Sequence, residues 1–235
     1  MAIKLSLLLE PTTLSSFAFL IATAILIYFA ARKTRRDYII FTAITTTILL
    51  IWFFAVFILS QTRFFAQNPL FAPNIFIGFL VLFELLRRVY AAKSIRKLAE
   101  AFSQHWLIGI QTYRIVGVGF LFLWARGMLP AAFAFPSGIG DIIVGVSAPL
   151  VAWAYYKQKP YARNLAITWN ILGILDLIIA LSVGFLGFPR PVQFAPLAPT
   201  TEALSLFPLA IIPLFAVPLA ILMHSLSLRV LRKKD

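Results

Sequence analysis

Long apolar runs leave a chain few ways to fold, and here basic residues gather in every second loop between them. Arg32, Lys33, Arg35 and Arg36 follow the first run. Arg87, Arg88, Lys93, Arg96 and Lys97 follow the third, and Lys157, Lys159 and Arg163 the fifth. Arg229, Arg232, Lys233 and Lys234 follow the last. These are 16 of the 21 Lys and Arg residues, and the loops between carry only Lys4, Arg63, Arg126 and Arg190. In hydrocarbon a helix satisfies its own backbone, and positive loops stay on the cytoplasmic side. The pattern predicts an all-α, polytopic integral membrane protein. It is a bundle of seven transmembrane helices, with the N-terminus outside and the C-terminus cytoplasmic, crossing the plasma (inner) membrane several times.

Composition sharpens this. Of the 235 residues, 61% are hydrophobic and 12% charged, against about 25% charged in a soluble domain. Seven spans of roughly 20 residues occupy about 140, so 1–235 reads as a single membrane domain. A net charge of +13 would suggest nucleic acid in a soluble protein. Here the same charges lie beside anionic headgroups, so the expected partner is the lipid bilayer and not nucleic acid. With no cysteine, disulfides, thiolate metal sites and cysteine nucleophiles are excluded. Glu10 and Pro11 precede the first run and a basic cluster follows it, which argues for a retained helix over a cleaved signal.

Helices are predicted over about 14–31, 38–59, 74–90, 106–125, 133–156, 165–188 and 202–228. An amphipathic connector covers 92–104, with Ile95, Leu98, Ala99 and Phe102 on one face and Lys93, Arg96, Lys97 and Glu100 on others. The proline-rich loop 189–201 is expected to cap the outer face. Glu202 belongs in the first turn of helix 7, where the dipole favours a negative charge. Pro208, Pro213 and Pro218 recur every five residues in that helix. Each removes a donor and crowds the carbonyl four residues back. The expectation is a bent helix whose freed carbonyls find neighbours or water, and it is the best candidate for a moving element.

The ionisable residues inside the spans single themselves out. A rise of about 1.5 Å per residue puts Arg114 roughly 12 Å deep from the cytoplasmic end of helix 4. Asp176 lies roughly 18 Å from the outer end of helix 6, and in a core of about 30 Å those levels nearly coincide. Glu84 falls at a similar depth, and Asp141 somewhat nearer the outside. Gln111 shares a face with Arg114, and Asn170 lies two turns below Asp176. A charge at such depth costs about 2.5–3.5 kcal/mol on insertion scales, so these groups are expected to face inward and pair. One cation against three carboxylates requires a bound cation, water, or carboxyls that keep their protons. The alternative is a plainer role, in which an Arg–Asp pair with Asn and Gln only pins four helices together.

The decapeptides 138–147 and 173–182 both read G-I-x-D-x-I-x-small-x-S. They lie on helices of opposite direction, as an inverted repeat would. Small residues Gly138, Gly145 and Ala148 beside Asp141, and Gly173 and Ala180 beside Asp176, let neighbouring helices approach. His105 and His224 fall at matching depths near the cytoplasmic ends of helices 4 and 7. They are the one pair able to act as axial haem ligands, although each reads equally as an interfacial polar residue. No lysine in any span serves a retinal Schiff base, and no phosphate loop, H-E-x-x-H or G-x-S-x-G occurs.

These residues point first to a small transporter or channel-like protein. Its proton- or cation-sensitive site, between helices 3 and 6, comprises Arg114, Asp141, Asp176, Asn170, Glu84 and Gln111, with no metal or cofactor called for. The expected partners are a small solute, a proton or a cation, and a second copy or another membrane protein. Two rivals stand beside it. One is a lipid-modifying membrane enzyme with Asp141 or Asp176 as general base. The other is a non-catalytic accessory or assembly subunit of a membrane complex.

Overall fold

The computed structural model describes residues 11–34, 36–67, 74–93, 102–189, 195 and 197–232. Among them are seven long helices and no strand. They are α1 Pro11–Thr34, α2 Arg36–Gln61, α3 Asn74–Ala91, α4 Gln104–Ala125, α5 Ala131–Tyr156, α6 Ala162–Leu186 and α7 Ile212–Arg232. Two short 3₁₀ turns, Phe64–Ala66 and Glu202–Ser205, lie between helices. Among the described residues, five helices are long and apolar enough to cross a membrane: α4, α5, α6, α7 and the Ala43–Gln61 part of α2. The amphipathic connector expected over 92–104 falls mostly outside the described residues. So do Pro191 and Pro196 of the proline-rich loop. The described parts of that loop turn back on α6: Thr201 donates from its N–H to Gly187 O at 3.0 Å and from Oγ1 to Gly184 O at 2.6 Å.

α7 is the central helix. Of its span 78% is buried, against 22–39% for the other four long apolar helices, because it is apolar all round. Leu214, Phe215, Leu219, Ala220, Met223 and Leu226 all lie in the core. α1, α2, α3, α4 and α6 pack on it, and α5 packs on α4 and α6. The outer surface is apolar as well. Ile44, Ile51 and Ile58 of α2, Ile143, Val146 and Leu150 of α5, and Leu172, Leu175 and Ile179 of α6 are all exposed.

The basic segments meet at one end of the bundle. Arg229 of α7 lies 3.7 Å over the Tyr90 ring and donates to Tyr90 O at 3.0 Å. Arg163, after the α5–α6 turn, donates to Leu231 O at 3.3 Å. At the other end Arg63 and Glu202 stand 3.7 Å apart, both exposed.

Helix 7 departs from the continuous 202–228 helix that its apolar run predicts. Glu202–Ser205 is a separate 3₁₀ turn, Ile212–Ala216 is a π-helical turn, and regular helix runs only over Val217–Arg232. The three prolines explain the delay, since each breaks one link of the i→i−4 ladder. Pro218 would leave Leu214 O without its partner. The Trp52 indole of α2 donates to that oxygen at 2.8 Å, so a neighbour supplies the missing donor. α4 is also irregular: residues Ile110–Gly117 wind as a 3₁₀ helix between two α-helical stretches.

Candidate functional site

The irregular stretch of α4 builds the site. With about 3.0 residues per turn, side chains three apart fall in line, whereas in an α-helix they drift round the axis. Gln111, Arg114 and Gly117 therefore share one face, and all three are buried. Arg114 is 2% exposed, and each of its guanidinium nitrogens donates. Nε reaches Asp141 Oδ1 of α5 at 2.7 Å. Nη2 bonds Asp176 Oδ2 of α6. Nη1 points to Gly173 O at 3.3 Å and to His224 Nε2 of α7 at 3.4 Å. Four helices thus converge on one cation. With both carboxyls ionised, two carboxylates against one guanidinium leave the centre one negative charge in excess; a proton on either one brings it to neutrality.

Absent side chains make the convergence possible. A Cβ on Gly117 would collide with Asp141, one on Gly140 with Asp176, and one on Gly173 would sit 2.5 Å from the His224 ring. Each glycine is the space into which a polar group of the next helix fits.

From Arg114 toward the basic end runs a ladder of buried polar side chains. His224 Nε2 faces the guanidinium, so it accepts, and the ring proton belongs on Nδ1. Nδ1 lies 2.9 Å from Asn170 Oδ1. Asn170 Nδ2 donates to Ala166 O at 2.7 Å and to Ser227 Oγ at 2.8 Å. Ser227 Oγ also accepts from Gln104 Nε2 at 2.6 Å. Gln104 lines a cleft of about 490 Å³ that His105, Tyr156, Lys159 and Arg163 share.

On the other side of Arg114 the core is open. A cavity of about 370 Å³ lies among α3, α4, α5, α6 and α7, walled by Phe76, Phe79, Phe120, Phe133, Phe185 and Phe188. Among the described residues Asp141 is its only charged lining residue. Leu80 and Ser182, both exposed, stand in its wall on α3 and α6, so its mouth is on the flank of the bundle. A recess of about 40 Å³, lined by Ser15, Ser16, Tyr113, Arg114 and Asp141, meets the cavity at Asp141. It has room for a water molecule.

The six candidate residues therefore divide. Arg114, Asp141 and Asp176 meet directly, and Asn170 joins them through His224. Gln111 is buried but donates to Ala220 O of α7 at 3.3 Å, so it braces α4 against α7. Glu84 does not join the cluster. It accepts from Arg87 Nε at 2.6 Å and Arg88 Nε at 2.9 Å, and all three side chains are exposed. The reason lies in helical phase. Leu82 and Leu86 are the buried positions flanking Glu84 on α3, and Glu84 between them points away, toward partners one turn on.

The two histidines form no axial pair. Both ring nitrogens of His224 face protein partners, and His105 packs instead on Trp106 and Tyr156. His224 sits deeper than the sequence suggests because α7 runs on to Arg232. Ser227 and Gln104 join the site although the sequence pattern does not single them out. The available signal was His224 and Ser227 one turn apart, at the level of Asn170 and Gly173 on a neighbouring helix. Tyr113 stacks on Phe19 of α1 at 3.9 Å and donates to Ala216 O at 3.3 Å.

Apolar helices of membrane-crossing length surround a buried arginine that holds two carboxylates beside an aromatic cavity. The chain belongs to the family described as Domain of unknown function (DUF8737), whose model matches residues 70–232. That range takes in α3 to α7 and every member of the Arg114 centre, and leaves α1 and α2 outside. Comparison with curated proteins and with solved structures gives no match.

Proposed function

We propose that the protein is a multi-pass membrane transporter or channel-like protein whose cation- or proton-sensitive site is the Arg114–Asp141–Asp176 centre. In this reading α1 and α3 join the five long apolar helices as spans, the basic end is cytoplasmic, and the chain is one membrane domain in the plasma (inner) membrane. The observation that carries the proposal is Asp141. It holds Arg114 with one oxygen and lines the cavity, so the excess negative charge of the centre borders a space a solute can occupy. Buried charge in hydrocarbon marks a pathway by default. The π turn and prolines of α7, beside Ile212, Pro213 and Val217 in the cavity wall, make that helix the moving part.

The test is flux in proteoliposomes holding a pH-sensitive dye, with an imposed potassium diffusion potential. Proton or inorganic cation flux is expected in wild type and is lost in Asp141→Asn. Equal flux in both proteins sinks the proposal, as does no flux of H⁺, Na⁺ or K⁺ in wild type. Orientation is checked separately. The chain has no cysteine, so single cysteines at Arg63 and at Gln158 can be labelled with an impermeant maleimide on intact cells. Labelling at position 63 and not at 158 is expected.

The flank mouth favours a second reading, a membrane enzyme that takes lipid sideways from the bilayer. It asks Asp141 to act as base while Asp141 already accepts from Arg114, which weakens it as a proton acceptor. Turnover of added phospholipid by the purified protein, lost in Asp141→Asn without any flux in the liposome assay, would decide for the enzyme.

A further inference from the structure

The cavity beside Asp141 has a chemistry more specific than a passage for ions. Its volume, about 370 Å³, lies within the range of about 300–1,000 Å³ typical of small-molecule pockets. A bare or hydrated inorganic ion would leave most of it empty. Its walls are aromatic: Phe120 and Phe133 meet edge to face at 5.2 Å, and Phe76 meets Phe185 at 4.5 Å and Phe188 at 5.4 Å. The faces of such rings attract a cation that has shed its water.

The charge count points the same way. With both carboxyls ionised, Arg114, Asp141 and Asp176 together are one positive charge short of neutrality, and a cation at Asp141 favours that ionised state. Four of the five Arg114 N–H groups already face Asp141, Asp176, Gly173 O and His224, and the two carboxylates beside it disfavour an anion there. The small recess at Asp141 adds hydroxyl-bearing Ser15, Ser16 and Tyr113 beside the carboxylate. A polar corner with a negative charge therefore opens into a large aromatic chamber whose mouth is on the flank of the bundle.

We infer that the cavity binds a monovalent organic cation with an apolar body, its ammonium head against Asp141 and its body among Phe76, Phe79, Phe120, Phe133, Phe185 and Phe188. This rests on the proposed function in one respect only, that Asp141 faces a space a ligand can enter. Entry from the flank suits an amphipathic molecule that partitions into the bilayer before it binds.

The experiment uses one body with three heads: 4-phenylbutylammonium, 4-phenylbutanol and 4-phenylbutyrate. Each is titrated against the full chain in lipid nanodiscs, with binding read by calorimetry and by the rise in melting temperature that a native-state ligand produces. Empty nanodiscs are the blank for partitioning. The ammonium is expected to bind saturably, with the alcohol and the carboxylate weaker by about tenfold or more. Asp141→Asn should remove that preference. Ala180→Phe, which puts a ring into the cavity from its α6 wall and changes no charged group, should remove binding; it also keeps the test sharp if Asp141→Asn does not fold.

Equal binding of all three heads overturns the inference in favour of a neutral lipid site. Preference for the carboxylate, unchanged binding to Asp141→Asn, or no binding of any head overturns it as well. Flux of H⁺ or Na⁺ that depends on Asp141, with no ammonium binding, keeps the proposed function and rejects this ligand. Ammonium binding with no flux does the reverse.

Discussion

The two sides of Arg114 are built on opposite rules. Toward the basic end, Gln104, Ser227, Asn170 and His224 fill the core with polar groups bonded one to the next. Toward the other end, apolar rings stand around unfilled space. A polar network in a low-dielectric core is costly unless its members are paired, and once paired it fixes the helices that carry it. An apolar cavity gives up packing contacts that a filled core would have. The difference teaches where the fold is held and where it leaves room. α4, α6 and α7 are locked together below the arginine, and the cavity lies above it.

The comparison breaks most severely at the arginine. Arg114→Gln leaves two carboxylates buried without a cation and His224 without its donor. A loss of about 3–5 kcal/mol is expected, measured by reversible unfolding in mixed micelles. A change below about 1 kcal/mol would mean that the centre is open to water and holds little.

Removing the carboxylates separates excess charge from pairing. Asp141→Asn and Asp176→Asn each bring the centre to neutrality while one ion pair survives, so each alone is expected within about 1 kcal/mol of wild type. The double variant strands Arg114 and is expected to lose about 3 kcal/mol. That excess over the sum of the singles is what coupled groups show. Additive losses would show that the two carboxylates do not share the arginine.

Smaller effects sharpen the contrast. Gly173→Ala puts a methyl group where the His224 ring lies and is expected to cost about 1–3 kcal/mol through forced repacking on the polar side. Ala180→Phe, on the cavity side, is expected to change stability by no more than about 0.5 kcal/mol. If the order of these last two is reversed in thermal unfolding, the cavity is a packed core and the proposed division fails.

How much of this the chain displays as sequence depends on how regular each helix is. Depth arithmetic brings Arg114 and Asp176 to nearly one level, with Asp141 somewhat nearer the outside, and the three meet across α4, α5 and α6. The same arithmetic misplaced His224, since the prolines push the start of α7 to Ile212 and the helix continues past Leu228. Glu84 shows a different limit. Its depth was readable, but which way it faces depends on Leu82 and Leu86 docking into the core, a tertiary fact. The aromatic cavity was not legible at all. Five of its six phenylalanines come from four helices and Phe188 from the turn after α6, and nothing in their spacing says that their rings surround a space. The two 138–147 and 173–182 segments meet in one respect that the pattern anticipates: both aspartates reach Arg114, and Ser147 and Ser182 each donate to the carbonyl four residues back.

The 3₁₀ stretch of α4 also stores length. Its eight residues advance about 2.0 Å each instead of about 1.5 Å, so the helix reaches about 4 Å farther than the same residues would as α-helix. Were they to rewind, α4 would shorten by that amount, and Arg114 would swing about 60° off the line of Gln111. The grip on Asp141 and Asp176 is therefore tied to the extension of one helix. Any compression along its axis acts as a lever on the arginine.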